Sequence, residues 1–363
     1  MTFKFNEFTT NVFISQEIPR IDKIADDFKT SVNNVLFVCD ENTVSIAEKI
    51  LSGKKIPVCV LKSGEEYKNW QSVEKILRAA TDAGLGRDSV FIGVGGGVIG
   101  DLCAFAASVY MRGCRLALVA TTLLAMVDAS VGGKTGFDLF DIKNLTGTFY
   151  PAQSVYMPLE SLASLPQKEW KSGFAELIKT AVLEGDDFIE RLSTFNINGR
   201  LTENTLILDC IKRAVQYKAG IVSEDLRESG RRMLLNLGHT FAHALESSAG
   251  LGKISHGEAV AWGIVRSCEL GHALGITPRG RAEKITALIS SFGYDYSADI
   301  CGGVLQLTDD KNAFLNAMKN DKKKKAGKLT FIVPNDKSAQ SVTVESENDI
   351  KTVEKIILGE YVL

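Results

Sequence analysis

Three of the chain's four histidines, His239, His243 and His256, lie between Arg231 and Glu258. Imidazole is the commonest side-chain ligand for metals and titrates nearest neutral pH. His239 and His243 stand four residues apart, so on a helix they share a face. A metal needs three or four N, O or S donors converging on one point. Two of these histidines and a carboxylate from elsewhere supply three, leaving a position open for substrate or water. The plainer reading is a surface helix with incidental histidines. Three together, beside Asn236, Gly238 and Glu258, favour a metal.

A second constellation is the run Gly95-Gly96-Gly97-Val98-Ile99-Gly100-Asp101, in which Gly95, Gly97 and Gly100 fit G-x-G-x-x-G. Glycines let the backbone approach a pyrophosphate, and a helix N-terminus offers it free N–H groups. Here the run follows a strand pattern and opens a helix pattern, which is the context it requires. The usual dinucleotide fingerprint sits in the first strand-turn-helix unit, with an acid about 20 residues on for the ribose. This one follows the third strand, and the next acid in range is Asp128, so it is no ordinary Rossmann site. Asp40, closing the first strand, is the better candidate for ribose hydroxyls. Ser63-Gly64-Glu65-Glu66-Tyr67-Lys68 ends the second strand on the same sheet edge, where ligands bind. Further on, Gly132-Gly-Lys-Thr is similar to a P-loop, but the first glycine would have to be residue 128, which is Asp. Lys134 and Lys143 among flexible glycines still suit an oxyanion such as phosphate.

The elements that must position these residues are legible in the hydrophobic pattern. Val35–Cys39, Pro57–Leu61, Ser89–Val94 and Arg115–Ala120 are short apolar runs rich in strand formers. Helical patterns end at Leu51 and run over Trp70–Ala83 and Val98–Tyr110. Strand and helix alternating at these lengths argue for a parallel sheet, and strands without polar alternation for one buried on both faces. Upstream, Asn11–Ile14 reads as a strand and Ile21–Phe28 as a helix. From about residue 155 helical spacing dominates: Lys168–Leu183, Thr202–Val222, Arg232–Ala249, Glu258–Ala273, Arg279–Phe292 and Lys311–Lys319. Leu329–Val333 is a strand with a partner near Ser341–Val344. The expectation is an α/β N-terminal domain with a Rossmann-like nucleotide-binding parallel sheet, residues 1–159, and a mainly α-helical C-terminal domain, residues 160–363.

The chain's 363 residues suffice for about two domains. At 45% hydrophobic and 24% charged residues it has the composition of a soluble globular protein. A net charge of -2 gives no basic field to draw nucleic acid or anionic lipid. The four lysines Lys322–Lys325 lack interleaved aromatics for base stacking and read as a solvated turn. Seven scattered cysteines without C-x-x-C fit free thiols in a reducing cytosol. The N-terminus has no signal-peptide core, and no apolar run reaches membrane-spanning length. The expected location is the cytoplasm, with no membrane and no nucleic-acid partner.

With these features in place, the chain resembles the 3-dehydroquinate synthase family from about Val35 to Pro334. The motifs that carry the resemblance are S-G-E-E-Y-K, G-G-G-V-I-G-D, Y-M-R-G, T-T-L-L-A-M-V-D-A-S-V-G-G-K-T-G, K-N, L-P-Q-K-E, G-F-A-E-L-I-K, L-N-L-G-H-T-F-A-H-A-L-E, H-G-E-A-V and D-K-K, in this order. The resemblance implies a dehydroquinate synthase-like fold, with NAD on the α/β domain, a divalent metal (zinc or cobalt) on the helical domain and the active site in the cleft between. It implies metal ligands at Glu176, His239 and His256. It implies an NAD site lined by Ser63 to Lys68, Gly97 to Asp101, Thr121, Thr122, Lys134, Lys143 and Ser161, Leu162, Ala163 and Ser164, with Asp40 on the ribose. Substrate contacts are implied for Arg112, Asp128, Lys134, Asn144, Lys179, Lys218, Arg232, Asn236, His243 and a lysine of Asp321-Lys322-Lys323. The implied reaction turns 3-deoxy-D-arabino-heptulosonate 7-phosphate into 3-dehydroquinate and phosphate. Its steps are transient oxidation at C5 with NAD, phosphate β-elimination, re-reduction, ring opening and intramolecular aldol closure. A homodimer is the family's habit.

Three positions depart from the family pattern: Asp138 where Asn is common, Ile142 before Lys143 where Gly is common, and Ala242 for a frequent Gly. None removes an implied ligand, while Asp138 and Ile142 bear on the loop carrying Lys143. Sister sugar-phosphate cyclases, which make inososes or valiolones, tend to alter the S-V-G-G-K-T-G loop and the Asn before G-H-T; both are intact here. A metal-dependent polyol dehydrogenase would release NADH and has no need of the anion-binding lysines. A catalytically dead relative is disfavoured because every implied ligand survives.

Overall fold

The computed structural model describes residues 1–140, 142–195, 205–250, 253–297, 314, 317–318 and 329–361. Met1–Trp170 with Arg200–Arg227 forms one unit, and Lys171–Gly199 with Glu228–Leu363 a second. The first unit holds strands β1 (Thr2–Phe5), β2 (Phe8–Ser15), β3 (Val35–Asp40), β4 (Val58–Leu61), β5 (Val90–Gly95), β6 (Arg115–Ala120), β7 (Lys134–Leu139), β8 (Ile142–Phe149) and β9 (Ser154–Pro158). Seven of them make one sheet in the order β1-β2-β9-β6-β5-β3-β4. All its pairings are parallel except that of β1 with β2. Every residue of β5 and β9 is buried, as both-face coverage requires. Helices α1 (Ile21–Phe28), α2 (Val44–Leu51), α3 (Trp70–Asp82) and α4 (Gly97–Val109) connect the strands, each close to its sequence-predicted span. β4 lies outside β3, whereas β5 lies on the other side of it, so the strand order reverses between β3 and β5. Ligands of open parallel sheets bind at such a switch point, beyond the carboxyl ends of the strands.

The stretch around Lys134 and Lys143, read from sequence as a flexible loop with glycines, is mostly regular. Ala125–Ala129 forms a turn of π-helix, and β7 and β8 pair as a separate antiparallel hairpin. Its strands were hidden by glycine: Gly136 and Gly147 face backbone so closely that a Cβ at Gly147 would lie 1.9 Å from the Thr135 carbonyl oxygen.

After β9 the chain is helical: α5 (Gln167–Glu184), α6 (Asp186–Ser193), α7 (Thr205–Glu224), α8 (His239–Ala249), α9 (His256–Ala273), α10 (Arg279–Ser291) and α11 (Glu347–Ile357). The second unit also carries the hairpin β10 (Leu329–Pro334) and β11 (Ala339–Val344), the strand pair expected from sequence. α7 belongs to the first unit, so neither unit is one contiguous stretch. The helix expected over Lys311–Lys319 lies largely outside the described residues. The one expected over Arg232–Ala249 is broken: Arg231–Asn236 is a 3-10 turn, and Gly238, with φ +79°, starts a new helix at His239. α9 is buried on nearly all sides, as the central helix of a unit must be. Phe241 of α8 packs on Trp262 of α9 and on Phe331 of β10.

Two glycine contacts set the spacing around α9. A Cβ at Gly263 would lie 2.2 Å from the Gly238 carbonyl oxygen, so α8 and α9 touch backbone to backbone. A Cβ at Gly257 would lie 2.4 Å from Ser172 Cα, so α9 meets α5 equally closely. Gly263→Ala therefore forces two helices apart and should destabilise by about 1–3 kcal/mol, as overpacking does. Gly280→Ala, at an exposed helical site with open space around it, should be neutral or stabilising by up to about 1 kcal/mol. Urea midpoints of the two variants check the contrast.

Candidate active site

The second unit gathers a carboxylate and two imidazoles at one point. Ligand atoms of Glu176, His239 and His256 all lie within 4.8 Å of one another. His256 Nε2 is 3.2 Å and His239 Nε2 3.7 Å from Glu176 Oε1. The Gly257–Ser172 contact explains how: Glu176 follows Ser172 by one turn of α5, and His256 opens α9 beside Gly257. The start of α9 is fixed by a capping box, in which Ser255 and Glu258 bond each other's backbone N–H groups. The Gly238–Gly263 contact brings in His239, the first residue of α8.

Each imidazole is held from behind. His239 Nδ1 lies 3.1 Å from the Leu237 carbonyl oxygen, which can only accept, so Nδ1 carries the proton and Nε2 faces Glu176 bare. Burial, and then the Lys179 ammonium, lower the His239 pKa to about 3, keeping the ring neutral. His256 Nδ1 lies 3.4 Å from Glu246 Oε1. Burial disfavours its charge, but the carboxylates of Glu176 and Glu246 outweigh that and raise its pKa to about 10. Glu176 itself is 1% exposed and forms an ion pair with Lys179, also buried, one turn further along α5. Two imidazoles and a carboxylate are a donor set for zinc or cobalt with positions left open. The proton held on His256 marks the place where positive charge is favoured.

Glu246 was not among the residues singled out from sequence, although it ends the run L-N-L-G-H-T-F-A-H-A-L-E. Its role is visible only once α8 brings it behind His256, where a carboxylate orients a ligating ring. His243 is exposed, its ring edge-on to His239 at a centroid distance of 5.5 Å. Arg232 is buried in the 3-10 turn, and Asn236 Nδ2 donates to Glu228 Oε1. Glu228, with φ +57°, was also missed.

The first unit collects its residues at the carboxyl edge of the sheet. Asp40 ends β3, Ser63 to Lys68 follow β4, Gly96 precedes α4 after β5, Thr121 and Thr122 follow β6, and Ser161 to Ser164 follow β9. Asp40 Oδ1 accepts from Asn42 N, Thr43 N and Thr43 Oγ1, while Oδ2 takes no hydrogen bond among the described residues. Gly95 is required because a Cβ there would meet Ile99 at 2.7 Å, closing the turn into α4. Leu162 and Ile99 are each only 1% exposed, backbone included, so neither is brought to the surface on which a ligand would lie. Lys68 is buried and pairs with Asp101 at 2.6 Å; their mutual attraction opposes the desolvation of both. Lys218 of α7 donates to the Asp128 carbonyl at 2.7 Å and to its carboxylate at 2.9 Å, tying α7 to the π-helical turn. Lys134, exposed at the head of β7, lines a small cavity with Gly100, Asp101 and Ser130. Lys143 and Asn144 lie on β8. Arg112 stands apart: it follows α4 and precedes β6, at the amino edge of the sheet, with φ +70°. Lys322 lies outside the described residues.

The family model described as 3-dehydroquinate synthase N-terminal matches residues 58–172, and that described as 3-dehydroquinate synthase C-terminal matches residues 173–324. The chain is 41% identical over 286 residues to a protein named 3-dehydroquinate synthase from a Nitratiruptor species, covering 79% of this chain and 78% of that one. It is 39% identical over 305 residues to the protein of that name from Alkaliphilus oremlandii, covering 84% and 81%. Among solved structures, a 2-deoxy-scyllo-inosose synthase complexed with carbaglucose-6-phosphate, NAD+ and Co2+ superposes with a TM-score of 0.83 over 100% of this chain and 99% of that one. At 24% identity that likeness speaks for the fold.

A metal entering this site must displace the His256 proton, so affinity is linked to pH. Since that proton is held up to about pH 10, the dissociation constant for Zn2+ should rise about tenfold for each unit that pH falls from 9 to 7. Calorimetry in buffers of different ionisation enthalpy should register proton release on binding. Glu246→Gln should weaken Zn2+ by about 10–100-fold without unfolding the protein, and His256→Ala should abolish stoichiometric binding.

Proposed function

The chain belongs to the 3-dehydroquinate synthase family, and we propose that it converts 3-deoxy-D-arabino-heptulosonate 7-phosphate to 3-dehydroquinate and phosphate. The observation that carries this reading is the convergence of Glu176, His239 and His256 in a chain matched by both halves of the family model. The donor set fits zinc or cobalt, and the carboxyl edge of the sheet fits NAD. When bound, NAD supplies reversible hydride transfer and the metal polarises a substrate oxygen.

The protein's own groups bind and orient. Glu176, His239 and His256 hold the metal. Asp40 Oδ2 is free for ribose hydroxyls, and the N-terminus of α4, after Gly95 and Gly96, faces a pyrophosphate with unpaired N–H groups. Ser63 to Lys68, Thr121, Thr122, Lys143 and Ser161 to Ser164 line the same cofactor. Lys134, Lys179, Lys218, Arg232 and Lys322 supply cations for the substrate's phosphate and carboxylate, and Asn144, Asn236 and Asp128 orient its hydroxyls. His243, exposed beside the metal ligands, can hold or pass a proton. Rigid positioning of one small substrate by this many groups lowers the entropic part of the barrier. In this reading residues 1–159 form the NAD-binding domain, which also lends Lys134, Asp128 and Asn144 to the substrate, and residues 160–363 the metal- and substrate-binding domain, which lends Ser161 to Ser164 to NAD. None of the described helices is long and apolar enough to cross a membrane. The six described cysteines are free and buried, which fits a reducing cytoplasm. We assign the enzyme to that compartment, as a homodimer.

Phosphate release from the heptulosonate phosphate should require NAD, stop on chelation and leave no NADH behind. Accumulating NADH would instead mark a dehydrogenase, and no release from NAD- and metal-loaded protein would mark a cyclase for another sugar phosphate. Lys134→Ala should lower kcat/KM by about 100-fold or more at unchanged melting temperature. A near-normal rate would remove Lys134 from the site.

A further inference from the structure

Asn144 is held in a closed ring of three hydrogen bonds that joins three segments of the first unit. Lys68 Nζ donates to Asn144 Oδ1 at 2.6 Å, Asn144 N to Asp138 Oδ1 at 2.7 Å, and Asp138 N to Lys68 O at 2.7 Å. The ring sits on an irregularity of the β7–β8 hairpin. Phe137 pairs with Thr146 and Leu139 with Ile142, so Asp138 alone stands against Lys143, Asn144 and Leu145. A bulge leaves backbone groups without ladder partners and re-aims a side chain. Asp138 supplies what the ladder lacks. Its N–H reaches out of the hairpin to the Lys68 carbonyl, and its carboxylate takes the Asn144 N–H. Asn144 adopts φ +51°, a left-handed conformation that asparagine tolerates better than most residues.

Charge fixes which end of the Asn144 amide faces inward. An ammonium has three donors and no acceptor, so the amide atom 2.6 Å from Lys68 Nζ is oxygen. Lys68 is only 5% exposed and shares its ammonium with Asp101 Oδ2 at 2.6 Å. Burial opposes its charge, but Asp101, Glu65 and Asp138 outweigh this and hold its pKa above the ordinary lysine value. The amide cannot flip without setting an NH2 group against that ammonium. Asn144 itself is exposed, so Nδ2 is the end available to a ligand.

We propose that Asp138 is a positioning residue: through the ring with Lys68 it presents Asn144 as a donor only, so that the substrate group met there is an oxygen acting as acceptor. This rests on the reading above that Asn144 touches the substrate. It also joins the segment assigned to NAD, through the Lys68 carbonyl and ammonium, to a residue assigned to the substrate.

Asn144→Asp tests the donor. A carboxylate keeps an oxygen on Lys68, so the fold survives, but it has no N–H to offer and repels an anionic substrate. Melting temperature and NAD affinity should stay within error while kcat/KM falls about 100-fold or more. A rate within about threefold of wild type would overturn the donor assignment. Asp138→Ala and Asp138→Asn test the ring, since the amide oxygen of Asn can still accept from Asn144 N. Hydrogen exchange of the Asn144 N–H should accelerate at least about tenfold in Asp138→Ala and return to near wild type in Asp138→Asn, with kcat/KM following the same order. Unchanged exchange and rate in Asp138→Ala would overturn the ring. A wild-type protein that releases no phosphate would defeat the proposed function alone, because the exchange of Asn144 is read without substrate.

Discussion

A carboxylate buried to 1% exposure is costly unless cations and hydrogen-bond donors surround it, and the second unit is arranged to surround Glu176. Lys179 neutralises one oxygen from within the same helix. The other faces two imidazoles from two further helices. Removing water from an ion strengthens every remaining interaction it makes. The helices can be drawn so near only because Gly238, Gly257 and Gly263 carry no Cβ. Without that closeness the other Glu176 oxygen would lose both imidazoles. The packing and the chemistry of this centre are therefore one problem with one solution.

The same device recurs in the first unit. Lys68 is matched with Asp101 and Lys218 with Asp128, each within 3 Å. Lysine on its own is a flexible, strongly hydrated point charge. Pairing it with a carboxylate in a half-buried setting fixes its position before any ligand arrives. Such pre-organisation lowers the entropy lost on binding, at the cost of part of the attraction each ammonium could give an anion.

How much of this could be read from sequence depends on the range of the interaction concerned. Apolar runs such as Val35–Cys39 and Ser89–Val94 gave β3 and β5 nearly to the residue, because burial on both faces leaves a local signature. The histidine cluster pointed to a metal for a similar reason: an uncommon side chain repeated within one short stretch. The identity of the carboxylate was not local; Glu176 came from family resemblance, and geometry then brought it to His239 and His256. Glu246 and Glu228 escaped because one glutamate in a helix looks like another until a partner from elsewhere is beside it. The β7–β8 hairpin escaped because its glycines, needed for backbone contact, erase the alternation by which strands are recognised. Asp138 was visible as a departure from the family pattern, but its bond to Asn144 depends on a bulge that spacing does not reveal.

The chain completes the first unit only after leaving it. It passes from Trp170 into the second unit, returns at Arg200 to lay down α7, and departs again after Arg227. α7 packs on β1 and on the π-helical turn, and it brings Lys218 to Asp128. On the ribosome, the parallel sheet therefore emerges whole yet waits for α7 while the first helices of the other unit are made. Domains generally fold as units during synthesis, the N-terminal one first. Here the two units are interleaved, so no single cut of the gene separates them into independent halves. A fragment ending at Trp170 would expose the surface that α7 covers. Recombination or fragment expression within this chain must carry residues 200–227 along with the sheet to which they belong.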